Sequence, residues 1–340
     1  MGKRKRILLT GASGSVGLET LKQLCRLKKY DITVLGNHSK RSRKNLPRFC
    51  KEAKIIYGDI ADKNEVEKVC KNIDAVIHLA AIIPPKADKE PELAYRINTI
   101  GTENLIKSLE KYSPNAFFVY SSSIAIYGDR LKDPYIKVGD PLKPSVGDEY
   151  AKTKIAAEEI IQKSKLDWTI FRLTAIMGGH KISNLMFHMP LNTPMEIATQ
   201  QDTARALIKA LEKRQELKNR IFNLSGGESC RIIYEDFLRR SFQIFGLGEP
   251  DFPQKTFAEK NFHCGYYADG DDLEKILHFR EDDLDVYFER EKQKVSLWKK
   301  FAAAIFRKPL KIYLWLLSEP YWAYKKKDEK LIQRFFNELE

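Results

Sequence analysis

The sequence predicts an α/β protein built on a doubly wound parallel sheet. Two observations carry this prediction: short apolar runs alternate with longer amphipathic segments through the first half of the chain, and a glycine-rich turn separates the first run from the first helical segment. The 340 residues are 43% hydrophobic and 31% charged. This balance is typical of globular proteins and gives enough apolar material for one large or two medium domains.

Six apolar runs are predicted to be buried strands, and a seventh run follows a later helix. The six are residues 6–10, 32–35, 54–57, 75–79, 116–121 and 168–173, and the seventh is 221–224. The helical segments are 16–27, 63–70, 92–111 and about 202–213. Residues 178–200 and 226–290 are less regular and richer in Gly, Pro and aromatic residues, so we expect a smaller substrate-facing domain there.

Charge and cysteine content restrict the functional classes. The formal net charge is +13, but no zinc-finger spacing, helix-turn-helix pattern or RNA-binding aromatic signature accompanies it. We therefore predict no nucleic-acid partner. The five cysteines include no Cys-x-x-Cys pair, which indicates reduced thiols, no metal site and a cytoplasmic protein. No apolar run approaches the roughly 20 residues of a membrane-spanning helix.

The turn after the first strand, Thr10–Gly17, predicts a dinucleotide site. Gly11 permits a tight turn, Gly14 lets the backbone approach a pyrophosphate, and Gly17 allows the helix to pack closely on the strand. The helix N-terminus adds free amides and a positive dipole end. A purely structural turn is the alternative. The predicted cofactor contacts in this turn are Gly11, Ser13, Gly14, Ser15, Val16 and Gly17.

The Gly-x-x-Gly-x-x-Gly spacing resembles that of the extended short-chain dehydrogenase/reductases, the NAD-dependent epimerase/dehydratase family. Further similar motifs follow in order: Gly58–Ile60 after the third strand, His78–Ala81 at the fourth, and Asn98–Leu105, which resembles the family's Asn-x-x-Gly-Thr-x-Asn-Leu helix. The resemblance covers residues 5–225 and fades after 227. It implies a Rossmann-type domain with further cofactor contacts at Asp59, Ile60, Leu79, Ala80, Ala81, Asn98 and Ser121.

The end of the second strand predicts NADP(H) over NAD(H). NAD enzymes place an acid there, on the ribose 2′-hydroxyl, but this chain has Gly36. Four donors follow that could pair with a 2′-phosphate: Asn37, Ser39, Lys40 and Arg41. The alternative is that this basic segment is only a solvated loop.

The catalytic candidates are Ser123, which follows the fifth strand, and Tyr150 and Lys154 on the next helix. A Tyr-x-x-x-Lys spacing places both side chains on one helical face, where the ammonium favours the phenolate. The family resemblance implies that Tyr150 transfers the proton, Lys154 also holds the nicotinamide ribose, and Ser123 bonds the substrate oxygen. Alone, the spacing also fits a solvated helical face.

Two departures from the family pattern reduce the set of reactions that we expect of this chain. Ile124-Ala125 stand where the 4,6-dehydratases carry an Asp-Glu pair, and residues 194–202 lack the arginine that binds nucleotide-sugar diphosphates. We predict an NADP(H)-dependent oxidoreductase that interconverts a small carbonyl and its alcohol. Two alternatives stay open: a nucleotide-sugar epimerase with tightly bound NAD, and a non-catalytic NADP(H)-binding redox sensor.

Three further side chains have weaker roles. His180 occupies a position where some family members keep a substrate-side acid, although such a histidine more often caps a loop. Arg172 ends the sixth strand and supports the site or forms an ion pair. Asp202 is expected to cap its helix.

The predicted organisation is a Rossmann domain of residues 1–177 with 201–225 returning to it, a substrate-binding part of 178–200 and 226–290, and a basic helical extension of 291–340. We favour packing of the extension on its own domain or on a dimer partner. The alternative is peripheral contact of residues 291–330 with an anionic membrane. The family resemblance also implies a homodimer.

Overall fold

The computed structural model describes residues 4–178 and 184–337. Its centre is a sheet of seven parallel strands. These are β1 (Lys5–Thr10), β2 (Tyr30–Gly36), β3 (Ala53–Tyr57), β4 (Ala75–His78), β5 (Phe117–Ser123), β7 (Asp167–Leu173) and β10 (Arg220–Leu224). Their order, β10-β7-β5-β4-β1-β2-β3, confirms the doubly wound α/β prediction.

Sixteen α-helices accompany the strands within the described residues. The first nine are α1 (Ser15–Leu27), α2 (Lys40–Asn45), α3 (Lys63–Val69), α4 (Lys86–Lys89), α5 (Pro91–Tyr95), α6 (Gly101–Tyr112), α7 (Glu149–Gln162), α8 (Gln200–Ala210) and α9 (Arg214–Leu217). The others are α10 (Tyr234–Phe245), α11 (Asp271–Leu277), α12 (Leu284–Lys294), α13 (Leu297–Ile305), α14 (Arg307–Leu316), α15 (Glu319–Lys326) and α16 (Glu329–Phe335).

Two hydrophobic clusters cover the two faces of the sheet. In β1, Ile7 and Leu9 join the cluster of α1, α8 and α11, whereas Leu8 joins that of α3, α6 and α7. Successive side chains of a strand point to opposite faces, so a strand covered on both sides must be apolar throughout. This is why each central strand was visible in the sequence as a short apolar run.

The predicted helical segment 92–111 is confirmed, but it is not α-helical throughout. A π-helical turn, Arg96–Ile100, separates α5 from α6. Within it, the Asn98 side chain accepts from the Ile82 amide (2.7 Å) and donates to the Ile82 carbonyl (2.9 Å). These tertiary hydrogen bonds connect the π-turn to the loop after β4, and π-turns frequently occur at functional sites.

The expected helix cap at Asp202 is also wrong. Thr199 caps α8, because its Oγ1 accepts from the Asp202 amide at 3.1 Å. The carboxylate of Asp202 is buried and accepts instead from the backbone amides of Glu281 and Asp282, both at 3.1 Å. Asp202 therefore ties α8 to the segment before α12.

The irregular stretches build a second, smaller region. A three-stranded sheet joins β8 (Ala175–Met177), β9 (Pro194–Thr199) and β11 (Arg231–Ile233), and two short strands pair as β6 (Tyr135–Ile136) and β12 (Tyr266–Tyr267). A third hydrophobic cluster contains residues of β9, α10 and α12. β8 directly continues the chain from β7, so this region adjoins the end of the central sheet.

The C-terminal extension divides into two parts. In α15 and α16, Ala323, Ile332 and Phe335 are buried against Ala258. In α13, by contrast, no residue is buried. No helix among the described residues is long and apolar enough to cross a membrane.

Candidate functional site

A cavity of about 520 Å³ opens at the carboxyl ends of the central strands. Residues that end or follow β1, β2, β3, β4, β5 and β7 line it, together with two side chains of α7. Ligands of open α/β sheets bind at this edge, where successive loops diverge. The cavity is therefore the candidate active site.

The glycine turn forms one wall of the cavity and leaves no room for larger residues. Gly11 has a φ of +71°, and a Cβ there would lie 2.5 Å from the Leu79 carbonyl carbon. A Cβ on Gly17 would lie 2.2 Å from the Gly11 oxygen. α1 starts beside the cavity without a side-chain cap or an acid in its first turn. Its free amides therefore fit a pyrophosphate.

A hydrogen-bonded corner connects the glycine turn to the end of β2. The Ser42 hydroxyl donates to Asn37 Oδ1 (2.7 Å) and lies 2.9 Å from Ser13 Oγ. Arg41 reaches the same wall, with its Nη2 3.5 Å from Ser15 Oγ. The sequence places Ser42 in the basic segment after β2, but its contacts with Asn37 and Ser13 depend on the fold.

Packing explains the glycine at the end of β2. A Cβ on Gly36 would lie 2.7 Å from Leu46 Cδ1, so the Leu46 side chain fills the space an acidic residue would need. Gly36, Asn37, Ser39 and Arg41 line the cavity. Lys40 is not among the described residues that do so, because it is exposed at the start of α2.

Most other predicted cofactor residues also line the cavity. They are Gly11, Ser13, Gly14, Ser15, Val16, Gly17, Asp59, Ile60, Leu79, Ala80, Ala81 and Ser121. Asp59 forms an ion pair with Arg96 at 3.2 Å. Its carboxylate also accepts from the Ala61 amide at 2.9 Å, which fixes its position at the rim.

Asn98 is the exception, because it is absent from the described cavity lining. Its side chain is buried, and beyond its two bonds to Ile82 it donates to Thr153 Oγ1 at 2.9 Å. With both ends of the amide occupied, Asn98 holds the loop after β4 against α7. The geometry therefore supports a positioning role instead of direct contact with a cofactor.

His78 lies behind the cavity wall. Its ring nitrogens are 2.6 Å from Thr10 Oγ1 and 2.9 Å from Thr102 Oγ1. Burial, reinforced by the positive charge of Lys154, lowers the pKa of His78 to about 3. His78 is thus a neutral, hydrogen-bonded core residue that connects β1, β4 and α6.

Ser123, Tyr150 and Lys154 all line the cavity. Lys154 Nζ donates to the Ser121 carbonyl (2.7 Å) and to the Tyr120 hydroxyl (3.2 Å), and it lies 5.6 Å from the centre of the Tyr150 ring. Asp148 caps α7 by accepting from the Ala151 amide at 2.8 Å. The cap and the bonds of Lys154 together orient the helix on the end of β5.

Burial opposes the charged forms of both α7 residues. It raises the pKa of Tyr150 well above its usual value, and a hydrogen bond with Ser123 partly offsets that rise. Burial also lowers the pKa of Lys154 to about 7, although the negative charge of Glu158 acts in the opposite direction. Strongly perturbed titratable groups in a cleft are typical of catalytic sites.

Arg172 forms an ion pair, one of the two roles that the sequence left open. Its Nη2 donates to Glu158 at 2.7 Å, and both side chains are at most 4% exposed. Its Nη1 donates to the Tyr127 hydroxyl at 2.7 Å. Since Glu158 lies one turn from Lys154 on α7, the pair anchors the helix that carries the catalytic candidates.

An apolar part of the lining was missed by sequence reasoning. Ile82 and Ile83 follow β4, and Ile176 comes from β8. Only the unusual Ile-Ile pair directly after Ala81 was a possible signal for this wall. His180 falls between the described segments, so its predicted substrate contact lies outside the described residues.

The residues described here include no group of three or more His, Cys, Asp or Glu side chains placed to hold a metal ion. The five cysteines are free thiols. Burial raises the pKa of Cys70, Cys230 and Cys264 to about 12, which leaves them poor nucleophiles and poor metal ligands.

Comparison with known proteins identifies relatives of the first two thirds of the chain. A family model described as the NAD dependent epimerase/dehydratase family matches residues 7–225. A D-erythronate dehydrogenase of Haemophilus influenzae is 26% identical over 176 residues, which are 50% of this chain and 55% of that protein. A UDP-glucose 4-epimerase of the same organism is 31% identical over 198 residues, 55% of this chain and 58% of the relative.

Solved structures show the same fold over more of the chain. A UDP-glucuronic acid 4-epimerase from Bacillus cereus, solved with NAD, superposes with a TM-score of 0.72 and 18% identity. The match covers 85% of this chain and 98% of that one. The chain spans only 55 to 58% of the length of the two sequence relatives, so their activities and substrates do not transfer directly.

Proposed function

The chain belongs to the NAD-dependent epimerase/dehydratase family, and we propose that it is an NADP(H)-dependent oxidoreductase that interconverts a small carbonyl and its alcohol. One observation carries the proposal. Ser123, Tyr150 and Lys154 line the same cavity as an uncapped, glycine-rich helix start. This arrangement suits a dinucleotide lying along the strand ends, with its reactive end at the three side chains.

The bound nicotinamide supplies the hydride chemistry, and the three side chains manage the oxygen and its proton. Ser123 holds the substrate oxygen by a hydrogen bond, and the Tyr150 hydroxyl gives it a proton during reduction or takes one during oxidation. Because burial favours the protonated phenol, Tyr150 is prepared as the acid of the reductive direction. A protonated Lys154 stabilises the phenolate that remains.

The substrate end of the cavity favours a small, non-nucleotide molecule. Ile82, Ile83 and Ile176 give it an apolar wall, against which a hydrocarbon portion would lose water-exposed surface. The family resemblance places a diphosphate-binding arginine within residues 194–202, and this chain has none there. Residues 194–199 form the buried strand β9. We infer that residues 178–200 and 226–290 contribute the remaining substrate contacts.

The preference for NADP(H) rests on the corner at the end of β2. Gly36 leaves no carboxylate there, and Arg41 approaches the cavity close to Ser15. A guanidinium suits the charge and geometry of a 2′-phosphate. Fluorescence titration of the protein with NADPH and NADH tests this proposal: tighter binding of NADH would overturn the preference.

A nucleotide-sugar epimerase is the second candidate. It is favoured by the relatives, since several sequences that match this chain are named UDP-glucose 4-epimerases. An epimerase returns its bound cofactor to the starting redox state in each cycle, whereas a reductase consumes NAD(P)H. Following both NAD(P)H absorbance and sugar configuration, with carbonyls and nucleotide sugars as substrates, separates the two.

The decisive variant is Tyr150→Phe, which removes the proton donor and keeps the ring. We expect turnover to fall by about 10²- to 10⁴-fold, while NADPH binding stays within about twofold of that of the unchanged protein. Tyr95→Phe is the matched control, because Tyr95 is exposed on α5 and outside the described cavity lining. Undiminished turnover in Tyr150→Phe would refute the catalytic assignment.

The redox-sensor alternative predicts a different result. A sensor binds NADPH but oxidises none of it with any carbonyl or sugar substrate, and Tyr150→Phe then changes nothing measurable. The predicted homodimer and cytoplasmic location stay predictions that these assays do not address.

A further inference from the structure

Helices α13 and α14 present an apolar surface to solvent. Leu297 and Trp298 are 84% and 82% exposed, and Phe301 and Ile305 are each 61% exposed. Trp298, Phe301 and Ile305 lie three and four residues apart, so they share one helical face. Further exposed members of this surface are Phe306, Leu310, Ile312, Tyr313 and Leu316. We call these nine residues the apolar surface of the extension.

Helices α13 and α14 are already packed on their own domain. α13 already packs through Ala303 against the cluster that contains α10, and α14 buries Leu314 in the same cluster. Lys311 forms an ion pair with Asp251, and the Ser318 hydroxyl donates to the Thr256 carbonyl at 2.6 Å. The two helices are therefore docked on the domain, and the nine residues of the apolar surface stay exposed.

Basic residues are interleaved along the chain with the residues of the apolar surface. Between Glu291 and Glu319 the sequence has no Asp or Glu, but it has Lys292, Lys294, Lys299, Lys300, Arg307, Lys308 and Lys311. Within the described chain, Lys299, Lys300 and Lys308 form no ion pair with a carboxylate. These three cations are therefore available to an external anion.

A shallow groove is lined by both basic and apolar side chains. Lys300 and Arg307 line it together with Leu297 and Phe301, at the junction of α13 with the end of α10. Cations beside an apolar patch match the chemistry of an anionic phospholipid, which has a phosphate next to acyl chains. A helix that faces only water would not need the exposed aromatic side chains of Trp298 and Phe301.

We propose that α13 and α14 dock this protein on the surface of an anionic lipid bilayer. Trp298, Phe301 and Ile305 enter the headgroup boundary, and Lys299, Lys300 and Lys308 contact lipid phosphates. A second copy of the chain fits less well. A two-fold symmetric contact places the same patch on both sides, so these unpaired cations would face cations.

Co-sedimentation of the full chain with vesicles tests the proposal. We expect binding to phosphatidylglycerol–phosphatidylcholine vesicles, weakening at high salt, and at least tenfold less partitioning onto pure phosphatidylcholine. Either Lys299→Glu with Lys308→Glu, or Trp298→Ser with Phe301→Ser, should reduce partitioning at least tenfold. The charge-matched control is Lys163→Glu with Lys165→Glu, at exposed positions after α7, which should bind as the unchanged protein does.

Two results would overturn the proposal. One is equal partitioning of the control and the Lys299/Lys308 variant, which would indicate attraction by net charge alone. The other is a failure to bind anionic vesicles, accompanied in sedimentation velocity by self-association that Trp298→Ser with Phe301→Ser abolishes. Unchanged NADPH binding and thermal unfolding show that each variant is folded, so failure here is distinguishable from failure of the proposed oxidoreductase activity.

Discussion

At the scale of single residues, burial makes the charge of Lys154 sensitive to pH near neutrality. Burial lowers its pKa to about 7, whereas an unfolded chain holds lysine near about 10.4. Between these two values the unfolded state binds more protons than the folded state. The contribution of Lys154 to the free energy of unfolding therefore rises as pH increases from about 7 and is lost as pH falls through the folded pKa.

Lys154→Met tests this linkage without cofactor. Relative to the variant, the unchanged protein should gain about 2 kcal/mol of unfolding free energy between pH 7 and pH 9, measured by urea unfolding at each pH. Lys152→Met is the control, since Lys152 is exposed two residues away and pairs with Glu149. Its curve should run parallel to that of the unchanged protein. A parallel curve for Lys154→Met would mean that Lys154 stays charged when buried.

At the scale of elements, the turn between β1 and α1 depends on close contact between backbones. Gly17→Ala would place a methyl group 2.2 Å from the Gly11 oxygen, so the turn must open or α1 must shift. We expect a loss of about 1–3 kcal/mol of stability and at least tenfold weaker NADPH binding. Gly139→Ala is the matched control, because a Cβ there meets no atom within 4 Å. Calorimetry and fluorescence titration measure the two effects, and tight NADPH binding by Gly17→Ala would exclude this turn from the cofactor site.

The same scale shows what could be predicted from the sequence. The seven central strands were predictable because strands buried on both faces are continuous apolar runs. The π-turn Arg96–Ile100 was not, because the side-chain contacts of Asn98 within it are with Ile82 and Thr153, which are distant in sequence. β8, β9 and β11 were missed because short strands in irregular sequence depend on their partners in space.

In the candidate site, the predictable part comes from local motifs. Spacing alone places Tyr150 and Lys154 one helical turn apart, and chain order brings Ser123 beside them. The apolar wall of Ile82, Ile83 and Ile176 required the fold, since it joins the loop after β4 to strand β8 of the second sheet. Substrate recognition was therefore the part that sequence reasoning could not reach.

At the scale of the whole molecule, the two parts of the extension differ in burial. Its last two helices are part of the folded body: Phe335 is 2% exposed, its ring centre lies 4.9 Å from that of His188, and its carbonyl accepts from the Glu259 amide at 2.7 Å. The Nε2 atom of His188 also lies 2.8 Å from the Glu319 carboxylate, which adds a second connection. Helix α13, between these helices and the body, stays exposed.

Two phenylalanines of the extension should therefore respond oppositely to truncation. Phe335→Ala removes a buried ring and should cost about 3 kcal/mol of unfolding free energy, in a single transition seen alike by fluorescence and circular dichroism. Phe301→Ala removes a ring that is 61% exposed and should stay within about 0.5 kcal/mol of the unchanged protein. If Phe335→Ala instead split unfolding into two steps, α15 and α16 would be an independent unit, because only a loosely coupled extension could melt before the sheet.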